Sequence, residues 1–204
     1  MSSRGGTRVA ALAVTVVAAA AMAATGCRVA RDPVAPGLEP VYDKATGQLT
    51  LLRYDADHDG RAETFSYMNG TRVVRIEIDT DGDGQIDRWE HYGADGKLAR
   101  VGFSRAHSGR EDAWSYANPS GEITRIDLAP AEDGRVTRTE HYQHAVLVTA
   151  EEDSDRDGAI DRWESYERGR LTRLAFDAAH AGHPTSTLTY AADGSVRIES
   201  SPDH

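Results

Sequence analysis

The sequence predicts an all-β protein, an antiparallel β-meander of about six 24-residue hairpin repeats forming a rolled or extended sheet. Three observations predict it. Glycines recur at Gly60, Gly84, Gly109, Gly134, Gly158 and Gly182, spaced 24, 25, 25, 24 and 24 residues apart, and a fixed period in this range marks a repeat architecture. An aromatic or threonine stands five residues after each glycine (Phe65, Trp89, Trp114, Thr139, Trp163, Thr187), followed by Tyr67, Tyr92, Tyr116, Tyr142, Tyr166 and Tyr190. Between these columns run segments of period two, which is the mark of a half-buried strand.

Taken in order, the chain opens with Arg4 and Arg8, then an apolar run from Val9 to Ala24. A charged start, an apolar middle and small residues at a cut describe a secretory signal. The ending Ala24-Thr25-Gly26-Cys27 resembles a bacterial lipobox. That resemblance implies a signal peptide over 1–26, lipidation of Cys27, and a partner in the membrane reached through the anchor. The location would be the cell envelope, lipid-anchored and extracytoplasmic. Arg28 after the cysteine resembles the Gram-negative pattern that sorts to the outer membrane. Cys27 is the only cysteine, so no internal disulfide is available.

Residues 27–40 carry Pro33, Pro36 and Pro40 and no hydrophobic period. They read as a tether of roughly 40 Å when extended at about 3.1 Å per residue. Residues 41–204 read as the repeat domain. Without residues 1–26 the chain holds 21 basic and 33 acidic residues, a charge of −12. Such a balance repels nucleic acid and anionic headgroups, so DNA binding is excluded as a main role.

The repeats begin with a half unit: Tyr42, a turn around Gly47, then Leu49 to Tyr54. Each later unit is a strand, a short turn, a second strand and an acidic loop. The turns read Asn69-Gly70, Ala94 to Gly96, Pro119 to Gly121, Arg168-Gly169 and Ala192 to Gly194, while the fourth unit has Gln143-His144-Ala145. In the second strands Val74, Ile76 and Ile78 alternate with Val73, Arg75 and Glu77; Val101 and Phe103, Ile126 and Leu128, and Leu174 and Phe176 behave likewise. About a dozen strands result.

The chemistry lies in the loops. Asp79 to Glu90 reads DTDGDGQIDRWE, with carboxylates at positions one, three, five, nine and twelve: Asp79, Asp81, Asp83, Asp87 and Glu90. Gly84 is sixth. The pattern returns as DSDRDGAIDRWE, with Asp153, Asp155, Asp157, Asp161 and Glu164. So many like charges in one turn repel one another unless a cation sits among them. Ca²⁺ wants six to eight oxygens at about 2.3–2.6 Å, which alternate carboxylates of a tight loop can supply. Both copies resemble the EF-hand calcium loop at every ligand position. That resemblance also brings the seventh residues, Gln85 and Ala159, into the ligand sets. The first loop, DADHDGRAETFS, keeps Asp55, Asp57, Asp59 and Glu63, with Arg61 seventh, but has Ser66 at position twelve. It should bind with lower affinity.

The third loop has Ser104, Ala106 and Ser108 and keeps Asp112; the fourth has Ala129 and Ala131 and keeps Asp133; the sixth has Asp177, Ala179 and Ala181. These three lack the oxygens for a cation. Flanking strands rather than helices set the chain apart from a helical EF-hand sensor or buffer, which is the alternative reading. The spacings Tyr92-x₃-Gly96-x-Leu98 and Tyr190-x₃-Gly194-x-Val196 resemble the bacterial YD repeat, which implies a rolled antiparallel sheet.

The repeated aromatics read as cross-strand packing; a calcium-dependent carbohydrate-binding module is the sharper alternative. Arg75, Arg100, Arg125 and Arg173 read as a solvated ladder paired with Glu77 and Asp127. The eight histidines read as surface loop residues. The sequence holds no HExxH, no GxSxG, no phosphate-cradling glycine loop and no cysteine nucleophile in its folded part, and an enzyme is not expected. The expectation is a calcium-binding envelope protein with a structural, adhesive or surface-binding role toward a polymer or protein partner.

Overall fold

The computed structural model describes residues 35–200. The expected signal peptide, the lipidation site Cys27 and most of the tether lie outside the described residues.

Fourteen strands form one sheet: β1 Leu38–Tyr42, β2 Leu49–Tyr54, β3 Thr64–Asn69, β4 Arg72–Ile78, β5 Arg88–Tyr92, β6 Leu98–Phe103 and β7 Ala113–Ala117, followed by β8 Ile123–Leu128, β9 Arg138–Gln143, β10 Val146–Glu152, β11 Arg162–Glu167, β12 Arg170–Phe176, β13 Ser186–Tyr190 and β14 Val196–Ser200. Every strand pairs with its neighbours in sequence, and the order across the sheet is the order along the chain. No helix occurs among the described residues, so the helical EF-hand alternative falls. β1 and β14 do not meet, which makes the sheet open. Pro40 sits in β1; a proline is tolerated there because an edge strand has one side with no ladder to complete.

Among the described residues the main chain of each strand lies near that of its sequence neighbours alone, so the sheet is a single layer. Its core is correspondingly thin. Among the described residues no large side chain is fully buried; the buried apolar ones are Trp89, Val101 and Leu174 with Ala113, Ala129, Ala150 and Ala175. Six of the seven hairpins carry a register shift near the tight turn, and such bulges add local twist. Where the fourth unit lacks a turn glycine, His144 and Ala145 take the left-handed backbone themselves, at φ 51° and 59°.

Cross-strand register sorts the side chains into two faces. One row runs Phe65, Glu77, Trp89, Gly102, Trp114, Asp127, Thr139. A side chain at Gly102 would collide with the Glu111 carboxylate, which occupies the gap between Trp89 and Trp114. On this face Arg75 stacks over Tyr67 at 4.4 Å and Arg125 over Tyr116 at 3.9 Å. Tyr92, Tyr142 and Tyr166 lie on the other face and donate hydrogen bonds of 2.7 Å to Glu90, Glu140 and Glu164, two residues earlier on their own strands. The tyrosine column of the sequence is thus two columns. The spacing from the preceding aromatic or threonine position, two residues or three, decides the face, because side chains alternate along a strand.

Candidate metal centre

The antiparallel path puts the seven tight turns on one edge of the sheet and the six long loops on the other. Two sets of main-chain bonds hold each long loop. The ninth residue closes the neck: Glu63, Asp87, Asp112, Thr137, Asp161 and Thr185 each donate to the carbonyl of the residue just before the loop, at 2.7–3.1 Å. The first residue ties the loop to the one before it. Asp79, Ser104, Ala129, Asp153 and Asp177 donate to the carbonyls of Glu63, Asp87, Asp112, Thr137 and Asp161 at 2.8–2.9 Å. The loops therefore stack in register along the edge. The sixth residue, always glycine, has positive φ in all six, from 68° at Gly109 to 100° at Gly158, a conformation that costs any other residue free energy.

Within this frame the acidic residues fold inward. Asp55 accepts the N–H of His58 at 2.6 Å and of Gly60 at 3.0 Å. Asp79 accepts those of Gly82 at 2.8 Å and Gly84 at 2.7 Å. The fifth-position residues Asp59, Asp83 and Asp157 each accept the N–H of the seventh, Arg61, Gln85 and Ala159, at 2.7 Å. The ninth-position carboxylates reach back to the second residue: Glu63 to Ala56, Asp87 to Thr80, and Asp161 to Ser154.

Among the described residues three groups of side chains converge closely enough to hold a metal ion, with ligand atoms within 4.8 Å of one another: Asp55, Asp57, Asp59 and Glu63; Asp79, Asp81 and Asp87; and Asp155, Asp157 and His180. The first loop, ranked third from the sequence, gathers the largest all-carboxylate group. Asp83, Asp153 and Asp161 stand in their loops without joining those groups. Asp153 has a different distinction. It is 4% exposed, its Oδ2 accepts the Gly158 N–H at 3.0 Å, and its buried Oδ1 has no hydrogen-bond partner.

The twelfth-position glutamates are not in the loops. Glu90, on β5, binds Arg88 at 2.9 Å and Tyr92. Glu164, on β11 and nearly fully buried, takes Arg138 and Arg162 at 2.7 Å each, and Tyr166. Burial alone would raise the Glu164 carboxyl, but the bonds from Arg138 and Tyr166 and the nearby guanidinium charges outweigh it and hold it below the ordinary range. Burial and the bond to Glu140 push the Tyr142 hydroxyl up to about 12.

The sixth loop keeps one acid at the loop positions, and main chain occupies it. The N–H of Ala181 first, then that of Gly182, hold Asp177 below the ordinary carboxylate range. His107 and His180, read from the sequence as surface loop residues, are exposed and lie in loops, and each faces acids of the preceding loop. His180, in the sixth loop, reaches Asp155 and Asp157 of the fifth, and His107, in the third, lies 4.0 Å from Asp81 of the second. Both occupy position four of the loop that follows a strongly acidic one, a regularity visible once the loops are aligned.

No family model and no curated protein matches the chain. Similar solved structures include the GtfA/B complex bound to UDP and GlcNAc (TM-score 0.33, 10% identity, 84% of this chain and 25% of that one). A mutant of S. aureus TarM in complex with fondaparinux, alpha-GlcNAc-glycerol and UDP follows (TM-score 0.26, 10% identity, 55% and 19%). A third is accessory secretory protein 1, 2 and 3 in Streptococcus pneumoniae (TM-score 0.25, 10% identity, 74% and 21%). The chain spans a quarter or less of each of these. At such scores the likeness carries no argument about activity. The expectation that the chain is not an enzyme is corrected on a different ground. That exclusion rested on missing short motifs, yet an active site built from scattered side chains leaves none. The exclusion is withdrawn, and no activity is assigned.

Proposed function

We propose that this is a calcium-binding, lipid-anchored protein of the cell envelope, in which Ca²⁺ held by the acidic loops fastens a thin repeat sheet that serves a structural or surface-binding role. The observation that carries the reading is the set of carboxylates converging in the first, second and fifth loops, together with the buried, partnerless Oδ1 of Asp153. A buried oxygen left without a donor costs about 1–3 kcal/mol, and a cation removes that cost. Carboxylate-rich sets suit a hard ion, and the irregular oxygen arrangement suits Ca²⁺ better than Mg²⁺, which demands an octahedron. In the first loop positions one, three, five and nine supply the ligands, and in the second positions one, three and nine, with main chain and water completing the shell. Glu90 and Glu164 serve the strands instead. The anchor at Cys27 follows from the lipobox resemblance and would place the sheet outside the cytoplasm, where calcium is plentiful enough for weak sites of about 10⁻⁴–10⁻³ M.

Titration calorimetry of the full chain with Ca²⁺ tests this. Saturable binding that disappears in the triple variant Asp57→Asn, Asp81→Asn, Asp155→Asn supports the reading. Binding unchanged by the three substitutions, or none in the native chain, contradicts it.

A further inference from the structure

We infer that β14 is a dimerisation strand: a second copy of this chain adds its own β14, antiparallel, across a two-fold axis at Ile198, and the two sheets become one.

The two edge strands are unlike. Along a strand, successive residues direct their N–H and C=O to opposite sides. The Asp55 N–H donates to the Gly37 carbonyl at 2.8 Å, which sets the alternation in β1 so that Pro40 faces away from β2. A proline there has no N–H to offer a further strand, and the register shift between Val41 and Tyr42 twists the rest of the edge. Proline and bulges are two devices by which natural sheets blunt an edge. β14 has neither. It contains no proline, and among the described residues its hairpin with β13 alone pairs without a register shift. All five of its residues are exposed, Ile198 by 69% and Val196 by 47%. Charge is a third device, but Arg197 and Glu199 have opposite signs, which suits a partner of the same sequence.

The main chain fixes the register. The Ala191 N–H donates to the Ser195 carbonyl at 2.9 Å. By alternation Arg197 and Glu199 bond to Thr189 and Thr187 of β13, and Val196, Ile198 and Ser200 direct their N–H and C=O away from the sheet. An antiparallel copy centred on Ile198 meets these outward groups in step, Ile198 against its own counterpart and Val196 against Ser200 of the second copy. Between them Arg197 stands opposite Glu199 of the second copy, at positions where Cα atoms approach to about 4.5 Å. Within one chain the two side chains are already 3.8 Å apart, so the dimer makes a square of alternating charge. The neighbouring registers set Arg197 against Arg197 or Glu199 against Glu199, and like charges directly opposite are destabilising. On the other face the row Leu174, Leu188, Ile198 continues into the same row of the second copy. That covers Ile198, the most exposed large apolar side chain of the described residues. The pairing is isologous and closes at two copies, while Pro40 keeps β1 from extending it.

The test is sedimentation velocity on the full chain over a concentration series, native and with Arg197→Glu, Glu199→Arg and both together. The native chain should pass from one copy to two and stop there. Each single substitution puts like charges opposite each other twice, once on either side of the axis, and should weaken the dimer about tenfold or more. The double substitution restores opposite signs at both positions and should regain most of the native affinity. Both side chains are exposed, so folding is not at stake. A native chain that stays single at every concentration overturns the proposal, as does growth past two copies. A dimer indifferent to the substitutions, which association through residues outside the sheet would give, overturns it too, and so do single variants that the double does not rescue.

Discussion

The second and fourth loops follow one backbone path with different chemistry. In the second, Asp79, Asp81, Asp83 and Asp87 stand where the fourth has Ala129, Ala131, Asp133 and Thr137. Yet Gly84 and Gly134 both take positive φ, at 90° and 69°, both necks are closed by the ninth-residue N–H, and both first residues bond to the loop before. Asp79 and Ala129 are both buried. The path is therefore fixed by glycine and main-chain bonds, and the extra carboxylates of the second loop are not needed to build it. They do repel one another, by about 1 kcal/mol per pair at 4 Å in water and about 4 kcal/mol at an effective dielectric of 20. A cation turns that cost into binding.

This contrast can be broken experimentally, most forcibly through the acids. Asp57→Ala, Asp81→Ala and Asp155→Ala together should abolish most calcium-induced stabilisation; a site saturated at a hundred times its Kd contributes about 2.7 kcal/mol. Melting curves in excess Ca²⁺ measure it. In chelator the triple variant should melt no lower than the native chain, because repulsion has been relieved.

The next effect marks where the loop chemistry stops. Glu164→Gln should cost about 2 kcal/mol through its bonds to Arg138 and Arg162, with no change in calcium stoichiometry. Its pH dependence has a definite sign. The folded carboxyl is held below its unfolded value, so its contribution is full above the unfolded value and is lost as pH falls through the folded one. Denaturant melts in chelator across the acid range should show a smaller acid loss in Glu164→Gln than in the native chain.

Smaller again are the glycines. Gly84→Ala and Gly134→Ala should each cost about 1 kcal/mol. Equal costs in the two loops, measured in chelator, would uphold a shared backbone; a cost confined to Gly84 would break the comparison. Smallest is Asp133→Ala, which should stay within about 0.5 kcal/mol and leave calcium binding unchanged.

Much of the fold was legible because its signals are local. Gly60 to Gly182 fix the turns of the long loops, and alternation at Val74, Ile76 and Ile78 gives a strand without any knowledge of its partner. The strand count came out near the mark for the same reason: each strand pairs with its sequence neighbour, so the chain order is the sheet order. What escaped depends on relations between units. The two-face split of the tyrosines hangs on a spacing of two against three, which a search for one repeated column averages away. The positions of Glu90 and Glu164 follow from Arg88, Arg138 and Arg162, cross-strand or same-strand partners that an EF-hand template does not contain. His180 was read as a lone surface residue because its partners, Asp155 and Asp157, belong to the preceding loop and meet it only when the loops stack.

The central claim is that divalent metal in the acidic loops locks a weakly cored sheet. Its most direct test is the melting temperature of the full chain in millimolar Ca²⁺ against the same protein in excess chelator. The account predicts a rise with calcium, on the order of 5–10 °C for each saturated site; identical melting temperatures in the two conditions would contradict it.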